Sequence, residues 1–97
     1  MWKLSELKEC TDKKHKYTVI LINKETHKTK TIHFGAYGMS DYTEHKDEDR
    51  KQRYIERHQK NEDWTNPLTA GFWSRWLLWN LPTKTKSLNY IIKHFKL

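Results

Sequence analysis

Leu68-Thr69-Ala70-Gly71-Phe72-Trp73-Ser74-Arg75-Trp76-Leu77-Leu78-Trp79 concentrates the apolar material of this chain and decides its fold. Three of the five tryptophans fall within it. Wound as an α-helix at about 100° per residue, it places Trp79, Phe72, Trp76, Trp73, Leu77 and Ala70 on one half of the circumference. Ser74, Leu78, Gly71 and Arg75 take the other half. Each buried ring removes roughly 150–250 Å² from water, so a single helix of this kind can anchor a small domain. The expected start is Asn66 as N-cap with Pro67 at the first helical position, Thr69 being the alternative cap. Asn80-Leu81-Pro82-Thr83 ends it.

Working outward from this helix, the chain supplies a hairpin for it to cover. Tyr17-Thr18-Val19-Ile20-Leu21-Ile22-Asn23 is β-branched and aromatic, the composition of a strand, and its near-continuous apolar run suggests cover on both faces or a central position. Lys24–Lys28 is a polar connection without Gly or Pro, and Thr29–Phe34 returns as the partner strand with Ile32 and Phe34 toward the core. Gly35-Ala36-Tyr37-Gly38 closes the unit. Before the hairpin, Trp2 and Leu4 alternate as in a strand while Leu4 and Leu7 are spaced as in a helical turn. Residues 1–16 are therefore the least determined part of the chain.

Between hairpin and tryptophan helix lies a polar helix. Asp41 and Glu44 have capping-box spacing, and the helix is firmer from Asp47. Asp47, Glu48 and Asp49 crowd its first turn and Arg50, Arg53, Arg57 and His58 its later ones, each charge matching the macrodipole. Tyr54 and Ile55 are its only large apolar residues, so most of it faces solvent. A last helix, capped by Thr83, carries Leu88, Ile91, Ile92 and Phe95 at i, i+3, i+4, i+7 as one buried stripe. The fold class predicted is α+β. One small domain spans 1–97, with an antiparallel hairpin packed on three helices and the N-terminal segment as a candidate third strand. Trp73, Trp76, Leu77, Ile20, Ile22, Phe34, Ile91 and Phe95 form the expected core.

At 97 residues with 35% hydrophobic content, the chain relies on its thirteen aromatic residues (five Trp, five Tyr, three Phe) to fill that core. A single cysteine excludes an internal disulfide and any multi-cysteine zinc site, and suits a reducing compartment. No stretch approaches the roughly 20 apolar residues of a membrane span. Met1–Glu6 lacks the apolar run of a signal peptide, so a chain that is not secreted is expected. The net charge of +7 is unevenly placed: Met1–Phe34 carries +4, Asp41–Asp63 carries −2 and Trp64–Leu97 carries +5. Such a field favours a polyanion or an acidic protein surface.

Signs of catalysis are weak. Cys10 has no motif pairing it with a histidine. Asp41, His45 and Asp47 flank a glycine-containing turn and suit acid/base or nuclease chemistry, yet no HExxH, GxSxG, P-loop or dinucleotide fingerprint accompanies them. His45 and Asp49 are i, i+4 only if the helix starts early, and His58 lies nearly four turns further on, so one helix cannot gather a metal site. His33 can approach from the hairpin, but nothing requires it. No enzyme, metal or cofactor is expected. Binding remains: lysines at the chain ends, Lys84, Lys86 and Lys93 of the last helix among them, grip phosphates. Arg50, Arg53 and Arg57 aid them, with Tyr54 or Tyr42 stacking and His58 on the same helix face, although neighbouring acids cancel much of the arginines' field. Arg75 is expected to pair with Asp41 or Asp47, or to lie over a neighbouring ring.

Two runs carry a family resemblance. One is His33-Phe34-Gly35-Ala36-Tyr37-Gly38 followed by Asp41-Tyr42-Thr43-x-His45-Lys46-Asp47, with Arg50, Tyr54, Arg57 and His58. The other is Thr69–Asn80. Together, over about Tyr17 to Phe95, they resemble small uncharacterised proteins found mainly in giant nucleocytoplasmic large DNA viruses. The Lys24–Lys28 connection is longer than the corresponding turn of those proteins. The resemblance implies a viral origin and a location in the virion or in a cytoplasmic viral factory, and carries over no functional residues. The function expected is a non-enzymatic basic protein that grips nucleic acid, DNA before RNA, without sequence specificity. The alternative is a minor virion component docking on an acidic protein.

Overall fold

The computed structural model describes every residue, Met1–Leu97, as an α+β domain with one sheet. Strands β1 (Trp2–Glu9), β2 (His15–Asn23) and β3 (Thr29–Ala36) form an antiparallel meander with β2 in the centre. The N-terminal segment is thus a true third strand. Its mixed spacing has a physical origin: the register slips between Leu4 and Glu6, leaving Ser5 as the extra residue of a β-bulge. Leu4 then pairs with Leu21 and Leu7 with Val19. An i, i+3 pair thereby reaches the same sheet face.

Pairing of Tyr17 with Phe34 and Val19 with Ile32 sets which half of β2 is inside. Val19 and Leu21 are fully buried, while Ile20 and Ile22 lie on the opposite face and are only half-buried. This corrects the expected core, because one register step exchanges every side chain of a strand between faces. The uninterrupted apolar run reflects a central strand whose outer face is flanked by Lys3, Glu6, Thr29 and Thr31. In the connection, Asn23 Oδ1 accepts from the N–H groups of Glu25 and Thr26, and His27 takes the left-handed conformation at φ 60° that a glycine would otherwise supply.

Helices α1 (Tyr42–His45), α2 (Glu48–His58), α3 (Ala70–Trp73) and α4 (Lys84–Phe95) follow, and α3 runs on into a π-helical turn at Ser74–Leu78. The cap of α3 is Thr69, whose Oγ1 accepts from Phe72 N–H at 3.3 Å, and not Asn66, which instead accepts from Leu68 N–H. The wide turn, closed by Trp79 N–H on the Ser74 carbonyl at 3.1 Å, rotates the residues after it away from an ideal α-helical wheel. Leu78 therefore enters the core beside Leu77, whereas Trp76 and Trp79 stay half-buried and Ala70 is exposed. Phe72 and Trp73 are fully buried, with the Trp73 ring 6.1 Å from Phe34. On α4, Ile91 is buried and Leu88 and Phe95 pack at the edge, but Ile92 is exposed. The core is a single cluster between one sheet face and the α3, π-turn and α4 layer. No helix is long and apolar enough to cross a membrane.

Candidate nucleic-acid interface

A cleft of about 1020 Å³ opens between α2 and the end of the sheet. One wall is α2, whose start is set by Asp47: its carboxylate accepts from Asp49 N–H at 3.0 Å and Arg50 N–H at 3.3 Å. Such a cap satisfies donors that the helix itself cannot. Arg50, Arg53 and Arg57 then recur at i, i+3 and i+7 on one stripe of about 10 Å. None has a carboxylate within salt-bridge distance. Arg50 donates to Ser40 Oγ at 3.1 Å, while Arg53 and Arg57 are exposed and make no hydrogen bond.

Two contacts hold that wall in place. Tyr54 is the single buried residue of α2; its ring lies parallel to Trp79 at 4.5 Å and stacks on His58 at 4.4 Å. Burial pushes its phenol well above the ordinary tyrosine range. Lys51 donates to the Asn80 carbonyl at 2.6 Å and sits 4.8 Å from the Tyr42 ring centroid. Tyr54 is consequently a packing residue. Its ring is already stacked inside the molecule, so the expected role of stacking on a base does not hold.

The facing wall comes from the sheet end, with Lys14, His15, Lys16 and His33 on it. Lys16 is spent internally: its ammonium lies 2.5 Å from Asp41 and 2.8 Å from Glu44. Burial opposes its charge, but the hydrogen bonds to Asp41 and Glu44 prevail and raise its pKa. Asp41 is itself buried and caps α1 through Thr43 N–H. Glu62 is similarly engaged, accepting from Trp64 Nε1 at 2.6 Å and lying 3.1 Å from His58 Nδ1. The cleft thus holds five Lys and Arg against three carboxylates, each with a partner: Asp41 with Lys16, Glu62 with Trp64, and Glu56, which accepts from Gln52 Nε2 at 3.4 Å. Lys14, Arg50, Arg53 and Arg57 remain with no carboxylate partner.

The structure gathers Arg50, Arg53, Tyr54, Arg57 and His58 in this cleft but leaves Lys84, Lys86 and Lys93 outside it. Lys84 donates to Tyr17 OH at 2.5 Å, a bond that raises its pKa, and Lys86 and Lys93 are exposed on α4. Arg75 pairs with neither Asp41 nor Asp47. Its guanidinium lies 4.5 Å from the Trp76 ring and 5.4 Å from Trp64, and it donates to the Trp79 carbonyl at 2.7 Å. Burial lowers its pKa. That Lys14, His15 and His33 lie opposite α2 is not legible in the sequence, because strand pairing, not helical spacing, delivers them there. Cys10, for which no histidine partner was foreseen, lies 3.6 Å from His33 Nδ1.

One family model matches the chain, over residues 5–58, and its description is a family of unknown function, DUF5754. The matched span covers most of the sheet together with α1 and α2, hence both walls of the cleft, and stops before the tryptophan-rich stretch. No curated protein and no solved structure matches.

Proposed function

Because the chain belongs to DUF5754, a family of unknown function, we propose from its own residues that it binds nucleic acid through phosphate contacts in the α2 cleft. The observation that carries this reading is the set Lys14, Arg50, Arg53 and Arg57 around one concave surface, none of them in an ion pair. Free guanidinium groups favour phosphate because their planar donors bind its oxygens in pairs. With Tyr54 packed inward the stripe has no exposed ring to stack on a base, and in this reading its guanidinium groups are spent on phosphate. Contact with phosphate alone fixes position and carries no sequence information. The reading is therefore of indiscriminate binding, suited to packaging or organising DNA.

Counterion release makes this quantitative. Four phosphate contacts give a slope of log affinity against log salt of about −3.6, a loss of roughly a hundredfold between 50 and 200 mM. Fluorescence anisotropy on a labelled DNA duplex at several salt concentrations measures it. The triple substitution Arg50→Gln, Arg53→Gln, Arg57→Gln should remove about 2.7 from the slope, the share of three contacts. Absence of binding at low salt, or a triple variant with the parental slope, overturns the reading. Binding that discriminates strongly among DNA sequences does so too.

A further inference from the structure

At the turn between β1 and β2, a second group of side chains converges that the phosphate reading does not use. Cys10 follows β1, Asp12 lies in the turn and His33 comes from β3 beside Thr18. One potential ligand atom from each of Cys10, Asp12 and His33 lies within 4.8 Å of the other two. These are one thiol sulfur, one carboxylate oxygen and one imidazole nitrogen. We propose that Cys10, Asp12 and His33 form a binding site for a divalent transition-metal ion of the zinc class, with water completing a tetrahedral set.

Geometry supports the assignment. A tetrahedral ion with metal–sulfur and metal–nitrogen bonds of about 2.3 and 2.0 Å holds those two atoms about 3.5 Å apart. The Cys10 Sγ to His33 Nδ1 separation is 3.6 Å. The same nitrogen lies 2.8 Å from Thr18 Oγ1, so an ion bound there takes the lone pair on which that hydroxyl donates, and the hydroxyl turns to another acceptor. Mixed sulfur, nitrogen and oxygen donors select zinc or cobalt over magnesium or calcium, which prefer oxygen alone.

The surroundings of Asp12 serve the same end. Its Oδ1 accepts from the N–H groups of Lys14 and His15, and its Oδ2 lies 2.9 Å from His15 Nδ1. These bonds fix the orientation of the ligand, as outer partners of metal ligands commonly do. His15 is thus a positioning residue, its ring 5.9 Å from that of His33. Both Cys10, half-buried, and the exposed Asp12 and His33 are open to an incoming ion. On binding, the sulfur–hydrogen bond of Cys10 breaks, a sulfur–metal bond forms and the proton passes to solvent.

Titration of the full chain with Co²⁺ tests this directly. One equivalent should give the visible bands of tetrahedral cobalt and a sulfur-to-cobalt charge-transfer band, both erased by Zn²⁺. Cys10→Ser should abolish the charge-transfer band, and His33→Gln should weaken binding by tenfold or more. His15→Gln should weaken it by roughly 10–100-fold while the bands keep their shape. His27→Asn, in the far turn of the hairpin, should leave affinity unchanged. If a ligand variant fails to fold by circular dichroism, the test moves to the unsubstituted chain: Zn²⁺ must shift the His33 ring resonances by NMR. No charge-transfer band, equal affinity in Cys10→Ser and His33→Gln, or an unmoved His33 ring overturns the proposal. None of the three α2 arginines contributes, so the triple glutamine variant should take up cobalt normally even if it no longer binds DNA.

Discussion

Lys16 and Asp41 show how single residues fix the cleft. The ammonium is mostly covered and the carboxylate almost wholly so, at 13% and 4% side-chain exposure. Removing one member leaves the other charge buried and unmatched, which costs about 3–5 kcal/mol, whereas removing both charges costs far less. Lys16→Met should therefore lower stability by about 3 kcal/mol or more in urea denaturation, and Lys16→Met with Asp41→Asn should recover much of it. The pair also has a pH signature. A lysine whose folded pKa is raised contributes stability that is complete below its unfolded value of about 10.4 and is lost as pH rises through the folded one. Stability of the parent should thus fall in that alkaline range, and the fall should be shallower in Lys16→Met, where Lys84 and Tyr54, both raised as well, supply what remains. The pairing was hidden in the sequence, where the partners lie 25 positions apart. For Arg75 the ring contact, and not the ion pair, holds for a related reason. Asp41 is taken by Lys16 and Asp47 by the α2 cap, so the guanidinium has rings and a carbonyl as its neighbours.

Among the elements, what the sequence made legible was local. The β2–β3 hairpin, the Asp47 start of α2 and the Thr83 cap of α4 follow from alternation and capping residues within a few positions. The bulge at Ser5 and the π-turn at Ser74–Leu78 do not, since each is selected by what it packs against. The candidate site divides along the same line: the α2 arginines were visible as a helical stripe, and the sheet wall was not. Asp47→Ala should cost about 1 kcal/mol, the worth of an N-cap, and loosen the helix that carries Arg50, Arg53 and Arg57. The turn after β3 allows a sharper comparison. Gly35 and Gly38 both have positive φ, at 78° and 83°. A Cβ on Gly35 would stand 2.8 Å from Leu78 Cδ1 and 3.2 Å from Lys16 Cβ, whereas one on Gly38 meets nothing within 4 Å. Gly38→Ala should cost about 1 kcal/mol from backbone strain alone. Gly35→Ala should add an overpacking cost of about 1–3 kcal/mol. Equal urea midpoints for the two would mean that Leu78 and Lys16 yield freely.

For the whole molecule, the two ends of the sequence meet in space. Leu4 N–H donates to the Leu97 carbonyl at 3.1 Å and Lys3 Nζ to the Lys96 carbonyl at 2.7 Å, tying β1 to the end of α4. Two basic surfaces thus compete for a polyanion: the α2 cleft, and the lysines of α4 beside the joined termini. Net charge cannot separate them, because both add to the same total. Counterion release can, because its slope counts phosphates in contact and a charge beyond contact contributes only a field screened over about 8–10 Å. Lys86 and Lys93 are exposed and lie off the cleft. Substituting both by Gln lowers the net charge by as much as losing two of the arginines. If DNA sits in the cleft, the double variant should keep a slope near −3.6 and lose affinity only modestly, by about the same factor for any DNA sequence. If the double variant sheds about 1.8 from the slope while the triple arginine variant sheds none, the strand runs along α4. The cleft would then be a folded-state consequence of how α2 packs, and the phosphate site would belong to the joined termini.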